Sequence, residues 1–128
     1  MPYLQFNLPK QFPAAVKRHV AEAACRAYAE IMETQLWRPN VGMAELGADN
    51  LFHLDDAGLQ EIVMVLVECR RGRSSDQRLA LARRLVELCT DAFGIAPGQV
   101  FVEFTAHAGD EMFRNGDWVQ DWRADEAA

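Results

Sequence analysis

Residues 3–8, Tyr-Leu-Gln-Phe-Asn-Leu, alternate so that neighbouring side chains fall on opposite faces of a β-strand. Pro9 and Pro13 bracket a turn, after which Val16, Val20, Ala23, Ala24, Ala27 and Ile31 recur at helical spacing, with Lys17, Arg18, Glu22, Arg26 and Glu30 on the opposite face. The pattern predicts an amphipathic helix, and Pro13 suits an early helical position, where its missing N–H breaks no bond. A second strand is expected over residues 41–46, after Pro39. A loop at 47–50, a short edge strand at 51–54 and a turn at 55–59 follow.

Ile62, Val63, Met64, Val65, Leu66 and Val67 form a nearly unbroken apolar run, which predicts a central strand covered on both faces. Ser74 and Gln77 then have capping-box spacing, with Asp76 in the first helical turn. The stripe Leu79, Ala82, Leu85, Val86, Cys89 and Phe93 defines a second helix that stops at Gly94, and residues 100–105 read as the last strand. Met112, Phe113, Trp118 and Trp122 lie among Gly, Asn and Asp without clear periodicity, which predicts a hairpin or a packed tail.

Strand, helix and strand thus occur twice, and aligning Pro2 with Val63 superposes the two sets. The expected fold class is α/β (α+β), a single domain over 1–128 made of tandem β-α-β units, 2–61 and 62–128. They would form a four-stranded mixed sheet with two helices on one face. The other face is expected to be apolar and to need cover from further copies of the chain.

A chain of 128 residues with 50% hydrophobic content can bury a core without a metal or disulfide staple. Cys25, Cys69 and Cys89 lie within apolar segments and are expected to be free thiols, which suits a reducing compartment. No secretory or membrane-spanning pattern is visible, so the expectation is a soluble, cytoplasmic protein without membrane contact. A formal charge of −6 argues against nucleic acid as a partner. That charge is uneven: Arg70, Arg71 and Arg73 crowd into one short segment, whereas the acid excess lies in the tail and around residues 49–61. The cluster is either a pocket for a small anion or a solvated basic turn.

Pro2 suits the first position of a strand, where its lack of N–H costs nothing. Removal of Met1 would also make it a secondary amine, a candidate base whose pKa burial and nearby guanidinium groups would lower. Arg73 could hold a carboxylate through a bidentate fork, while Arg70 or Arg71 attracts the oxygen of a 2-oxo acid or its enolate. Tyr28 either packs with its hydroxyl at the rim of the site or donates a proton. Glu103 is either a surface residue or a site carboxylate. Phe113 and Trp118 are candidates for an apolar wall. His19, His53 and His107 lack metal-ligand spacing and no Cys-x-x-Cys pair occurs, so neither metal nor cofactor is expected.

Pro2, the duplication, Gly72-Arg73-Ser74-Ser75-Asp76-Gln77 and the segment from Phe93 to Val102 together resemble the tautomerase superfamily. Its members use an amino-terminal proline as catalyst and are built from paired β-α-β units. The resemblance to 4-oxalocrotonate tautomerase implies that one site is divided between the units. Pro2 comes from the first, which has Phe12 where the acid-binding arginine would stand, and Arg73 from the second, which has Val63 in place of the proline. Arg70 with Arg73 matches the arginine spacing of cis-3-chloroacrylic acid dehalogenase, and Arg71 with Arg73 that of malonate semialdehyde decarboxylase. Tyr28, Glu103 and Arg114 depart from the dehalogenase pattern, and Arg38 from the decarboxylase pattern.

The resemblance implies a cofactor-independent tautomerase or isomerase of small unsaturated 2-oxo or 2-hydroxy carboxylic acids. Pro2, Arg70, Arg73, Tyr28 and Glu103 would be catalytic, with Arg70, Arg71, Arg73 and Phe113 binding the substrate, in a homotrimer. One alternative is a decarboxylase, hydratase or dehalogenase of a small 3-oxo or unsaturated acid, with protonated Pro2 as the acid. Another is a trimeric anion-binding protein without catalysis.

Overall fold

The computed structural model describes residues 1–127. The elements run β1 (Tyr3–Leu8), α1 (Ala14–Ile31), β2 (Asn40–Glu45), β3 (Phe52–Asp55), β4 (Gly58–Glu61), β5 (Val63–Arg70), α2 (Ser75–Phe93), β6 (Val100–His107), β7 (Phe113–Arg114) and β8 (Asp117–Trp118). The main sheet has the order β2-β1-β5-β6. β1 and β5 are antiparallel at its centre, and each pairs on its other side with the parallel second strand of its own β-α-β unit. The expected mixed sheet with two helices is therefore present. Each unit is also followed by a small hairpin, β3–β4 in the first and β7–β8 in the second.

Alternation sorts the side chains of the two central strands. Leu4, Phe6 and Leu8 from β1 and Val63, Val65 and Val67 from β5 are buried beneath Val20, Ala24 and Tyr28 of α1 and Leu81, Leu85 and Cys89 of α2. Each Leu, Val or Phe so buried contributes about 1.5–3 kcal/mol of transfer free energy, which makes this layer the main stabilising element. Ser74 caps α2 in a reciprocal box with Gln77, and Gly94 ends the helix in the left-handed conformation, as the sequence suggested.

Two details differ from expectation. Leu79 is exposed and Leu81 takes its place in the core, because the stripe on α2 is rotated by half a turn at its N-terminal end. β5 is central as expected, and its second face, left for further copies of the chain to cover, carries Met64, Leu66 and Glu68, which alternate with its buried residues and are half-buried. The uncovered face is not uniformly apolar. β1 lines it with Tyr3, Gln5 and Asn7, joined by hydrogen bonds from Tyr3 Oη to Gln5 (3.4 Å) and from Gln5 to Asn7 (2.8 Å).

The described residues contain no helix long and apolar enough to cross a membrane. Cys25, Cys69 and Cys89 are free thiols, and burial pushes the Cys89 thiol up to about 12, which makes it inert as a nucleophile.

Candidate active site

The end of β5 places Arg70 and the start of α2 places Arg73, with Arg71 and Gly72 forming the turn between them. Both outer residues of this motif are buried, Arg70 at 2% and Arg73 at 5% exposure, whereas Arg71 points to solvent and stands 3.9 Å from Glu111. Gly72 has φ +120°, and a Cβ there would meet Trp122 Cε3 at 2.8 Å. The turn thus needs glycine both for its backbone and for the indole that lies across it.

Arg73 is locked from several sides. Its Nε donates to the Met32 carbonyl at 3.0 Å and its Nη1 to the Arg70 carbonyl at 3.3 Å, while the guanidinium lies 4.4 Å from the Trp122 ring centroid and 6.0 Å from that of Tyr28. Burial draws its pKa below the ordinary arginine value, yet it remains a cation. Arg70 donates through Nη1 to the Gln120 carbonyl at 2.7 Å and through Nη2 to Glu126 at 2.5 Å. The Thr34 hydroxyl also donates to Glu126, and Arg38 stands 3.4 Å from the same carboxylate. Burial opposes ionisation of Glu126, but the hydrogen bonds from Arg70 and Thr34 and the charges of Arg70 and Arg38 hold its pKa below the usual carboxylate value.

The N-terminus enters this cationic region. Pro2 is buried, and its carbonyl accepts both the backbone N–H and the side-chain amide of Asn40 at 3.0 Å. Burial, and then the charges of Arg114, Arg38 and Arg70, lower the Met1 amine from 8.0 to about 6. Arg114 and Arg38 flank the Trp37 ring at 4.9 and 4.6 Å, and Arg114 also donates to the Trp37 and Arg38 carbonyls at 3.4 Å. A cleft of about 510 Å³ opens beside Arg38 and Glu126. A smaller one of about 170 Å³ lies between Trp37, Arg114 and Trp118.

Of the residues singled out from the sequence, the fold gathers Arg70, Arg73 and Tyr28, with Pro2 buried at the entry of β1. Tyr28 is wholly buried rather than at a rim, its hydroxyl has no hydrogen-bond partner among the described residues, and burial raises its pKa against the opposing charges of Arg73 and Arg70. Within the single chain, Arg71, Glu103 and Phe113 stand outside the cluster. Glu103 is exposed on the uncovered sheet face, and Phe113 packs edge-on to Trp118 at 5.9 Å. No group of three His, Cys, Asp or Glu side chains among the described residues is arranged to hold a metal ion.

Sequence reasoning missed Thr34, Arg38, Arg114, Trp122 and Glu126 as parts of one cluster. The available signal was the charge complementarity between the acidic tail and the arginine segment; the loop positions of Thr34 and Arg38 carry no periodic mark.

No protein-family model matches the chain, and no curated protein matches it. Solved structures do. A member of the cis-3-chloroacrylic acid dehalogenase family, N1, superposes with a TM-score of 0.83 at 17% identity, covering 93% of this chain and 84% of its own. Pt0534, inactivated by 2-oxo-3-pentynoate, gives 0.80 at 22% identity over 91% and 94% of the two chains. A fused 4-OT solved as an asymmetric trimer gives 0.80 at 16% identity over 91% and 94%. The paired β-α-β units, the sheet order and these superpositions agree: the chain has the fold of the tautomerase superfamily.

Proposed function

We propose that this protein is a cofactor-independent tautomerase or isomerase of small unsaturated 2-oxo or 2-hydroxy carboxylic acids, with Pro2 as its base once Met1 is removed. The observation that carries this reading is the convergence of the chain's N-terminus with Arg38, Arg70 and Arg114, whose charges, together with burial, depress the pKa of the terminal amine. An amine on Pro2 would begin the chain one residue further into the same surroundings. A pKa lowered in this way favours the neutral amine, a base rather than an acid. This weighs against the alternative in which a protonated proline drives hydration, dehalogenation or decarboxylation.

The chemistry follows from placement. A carboxylate-bearing 2-oxo acid is held by guanidinium groups, and the amine takes a proton from the carbon next to the carbonyl. The electrons of that C–H bond move into a dienolate, whose oxygen a second guanidinium stabilises more strongly than it does the neutral ketone. The same ammonium returns the proton at the far end of the conjugated system. Nothing is consumed. Inactivation of the structurally similar Pt0534 by 2-oxo-3-pentynoate, itself a small unsaturated 2-oxo acid, supports the substrate class.

The same reading makes the assembly a homotrimer, supported by the half-buried sheet face of the isolated chain and by the trimeric state of the similar fused 4-OT. A direct test is isomerisation of 2-hydroxymuconate or phenylenolpyruvate by protein whose intact mass shows that Met1 is gone, without metal or nucleotide. Turnover above the uncatalysed rate is expected. No turnover of either acid by fully processed protein would contradict the proposal.

A further inference from the structure

The segment after β8 crosses the arginine cluster and is pinned at separate points. Gly109 N–H donates to Asp121 Oδ1 at 2.7 Å, the Gln120 carbonyl accepts from Arg70, and Trp122 Nε1 donates to the Glu33 carbonyl at 3.0 Å. Gln35 Nε2 donates to the Glu126 carbonyl at 2.9 Å. Between these points the chain is open to solvent: the side chains of Arg123 and Asp125 are 78% and 77% exposed. Glu126 is the exception. Its side chain is only 8% exposed and inserts a carboxylate between Arg70, Arg38 and Thr34.

A carboxylate of the protein itself therefore occupies Arg70, a guanidinium that the proposed reaction uses to bind its 2-oxo acid. Other buried donors of the same arginine and tyrosine cluster are also left unsatisfied. Arg70 Nε, Arg73 Nη2 and the Tyr28 hydroxyl are buried and lack partners among the described residues. Burying a polar group unpaired is costly, so these atoms favour an occupant with more acceptor oxygens than Glu126 offers. A 2-oxo acid brings a carbonyl oxygen in addition to its carboxylate. The segment is also suited to release. Its holding contacts are a few hydrogen bonds, one stacked indole and the two ion pairs of Glu126, without an apolar core of its own, which is the character of segments that open locally at low cost.

We infer that residues 121–126 form a latch in which Glu126 acts as an internal competitor, and that a small 2-oxo carboxylate binds by displacing it. The inference rests on the proposed function for its choice of ligand. Its consequence is quantitative: apparent affinity is reduced by the fraction of time the seat is vacant, so a latch closed for nine-tenths of the time or more weakens binding about 10-fold or more.

The test uses pyruvate as the probe and equilibrium binding as the readout, on the Met1-bearing protein so that turnover plays no part. Wild type, Glu126→Gln and a chain ending at Trp122 are titrated by calorimetry, and the backbone amide signals of residues 123–126 in wild type are followed by NMR. Glu126→Gln keeps the size of the side chain and its capacity to accept from Thr34, while the shortened chain keeps both the Asp121 anchor and the Trp122 stack. Both are expected to bind pyruvate about 10-fold or more tighter than wild type. Saturating pyruvate should move the wild-type signals of 123–126 to unstructured positions, and Arg70→Met in the shortened chain should abolish binding.

Equal affinities in the three proteins would overturn the latch, as would pyruvate binding that leaves residues 123–126 in place. Failure of the shortened chain to bind pyruvate would overturn it too. Tighter binding in both variants beside an inactive processed enzyme would uphold the latch and reject the proline mechanism. Active processed enzyme with equal affinities would do the reverse.

Discussion

The Trp122 indole lies over the Arg73 guanidinium at 4.4 Å and closes against the Cα of Gly72, where a methyl group would meet the ring at 2.8 Å. One aromatic residue thus covers both the turn and the cation that the turn positions. Gly72→Ala should be destabilising by about 1–3 kcal/mol, since it adds a side chain at positive φ and displaces the indole. Urea unfolding of the variant beside wild type checks this. A change within about 0.5 kcal/mol, typical of an unconstrained surface site, would show that the packing is not required.

The three arginines should separate by burial. Arg70→Ala removes a buried cation and the main partner of Glu126, which the latch then releases to solvent, and should cost about 1–3 kcal/mol, whereas Arg71→Ala removes an exposed contact and should stay within about 1 kcal/mol. Turnover of a carboxylate substrate should fall by about 10²-fold in Arg70→Ala or Arg73→Ala and much less for a neutral ester. Arg71→Ala should leave turnover nearly intact. Comparable losses for acid and ester would mean that the buried pair serves only the fold.

In the Met1-bearing protein the terminal amine should titrate near 6 rather than 8.0. The native state then binds fewer protons than the unfolded state between those two values. Stability should accordingly rise with pH across the window from about 6 to 8, with no further contribution from this group above it. The chemical shift of a 13C-methylated terminus, followed against pH, measures the value directly. A midpoint at 8.0 would show that neither burial nor the arginines act on the terminus.

Sedimentation equilibrium at micromolar concentration should give three times the mass of the 14.4 kDa chain. Leu66 is half-buried on the uncovered face of the sheet, next to Gln5 in the β1–β5 register, so Leu66→Glu should shift the protein toward monomer. A monomeric wild type would remove the oligomer from the account.

The architecture was legible because its determinants are local and periodic. Alternation in Tyr3–Leu8, the Ser74–Gln77 box and the stop at Gly94 each specify an element within a few residues, and the spacing between the two sets revealed the duplication. The unbroken apolar run marked β5 as central, and the face it leaves uncovered is the one expected to need further copies of the chain. Arg70 and Arg73 could be found through their motif. Glu126, Arg38 and Thr34 could not be joined to them, since their meeting depends on how irregular loops cross the end of the sheet. Leu79 shows the same limit on a smaller scale: helical spacing admits a stripe half a turn either way until the packing partner is known.

The central claim is that the amine of Pro2 moves the proton, and it is tested most directly by comparing two forms of one protein. Processed protein and a Met1-retaining form are placed with the same 2-hydroxydienoate in deuterated water, and deuterium incorporation at C3 is followed by NMR. With Met1 attached the Pro2 nitrogen is a tertiary amide and has no proton affinity to use. Incorporation is expected only with the processed form, at a rate that rises with pH as the amine loses its proton. Equal incorporation by the two forms would contradict the account.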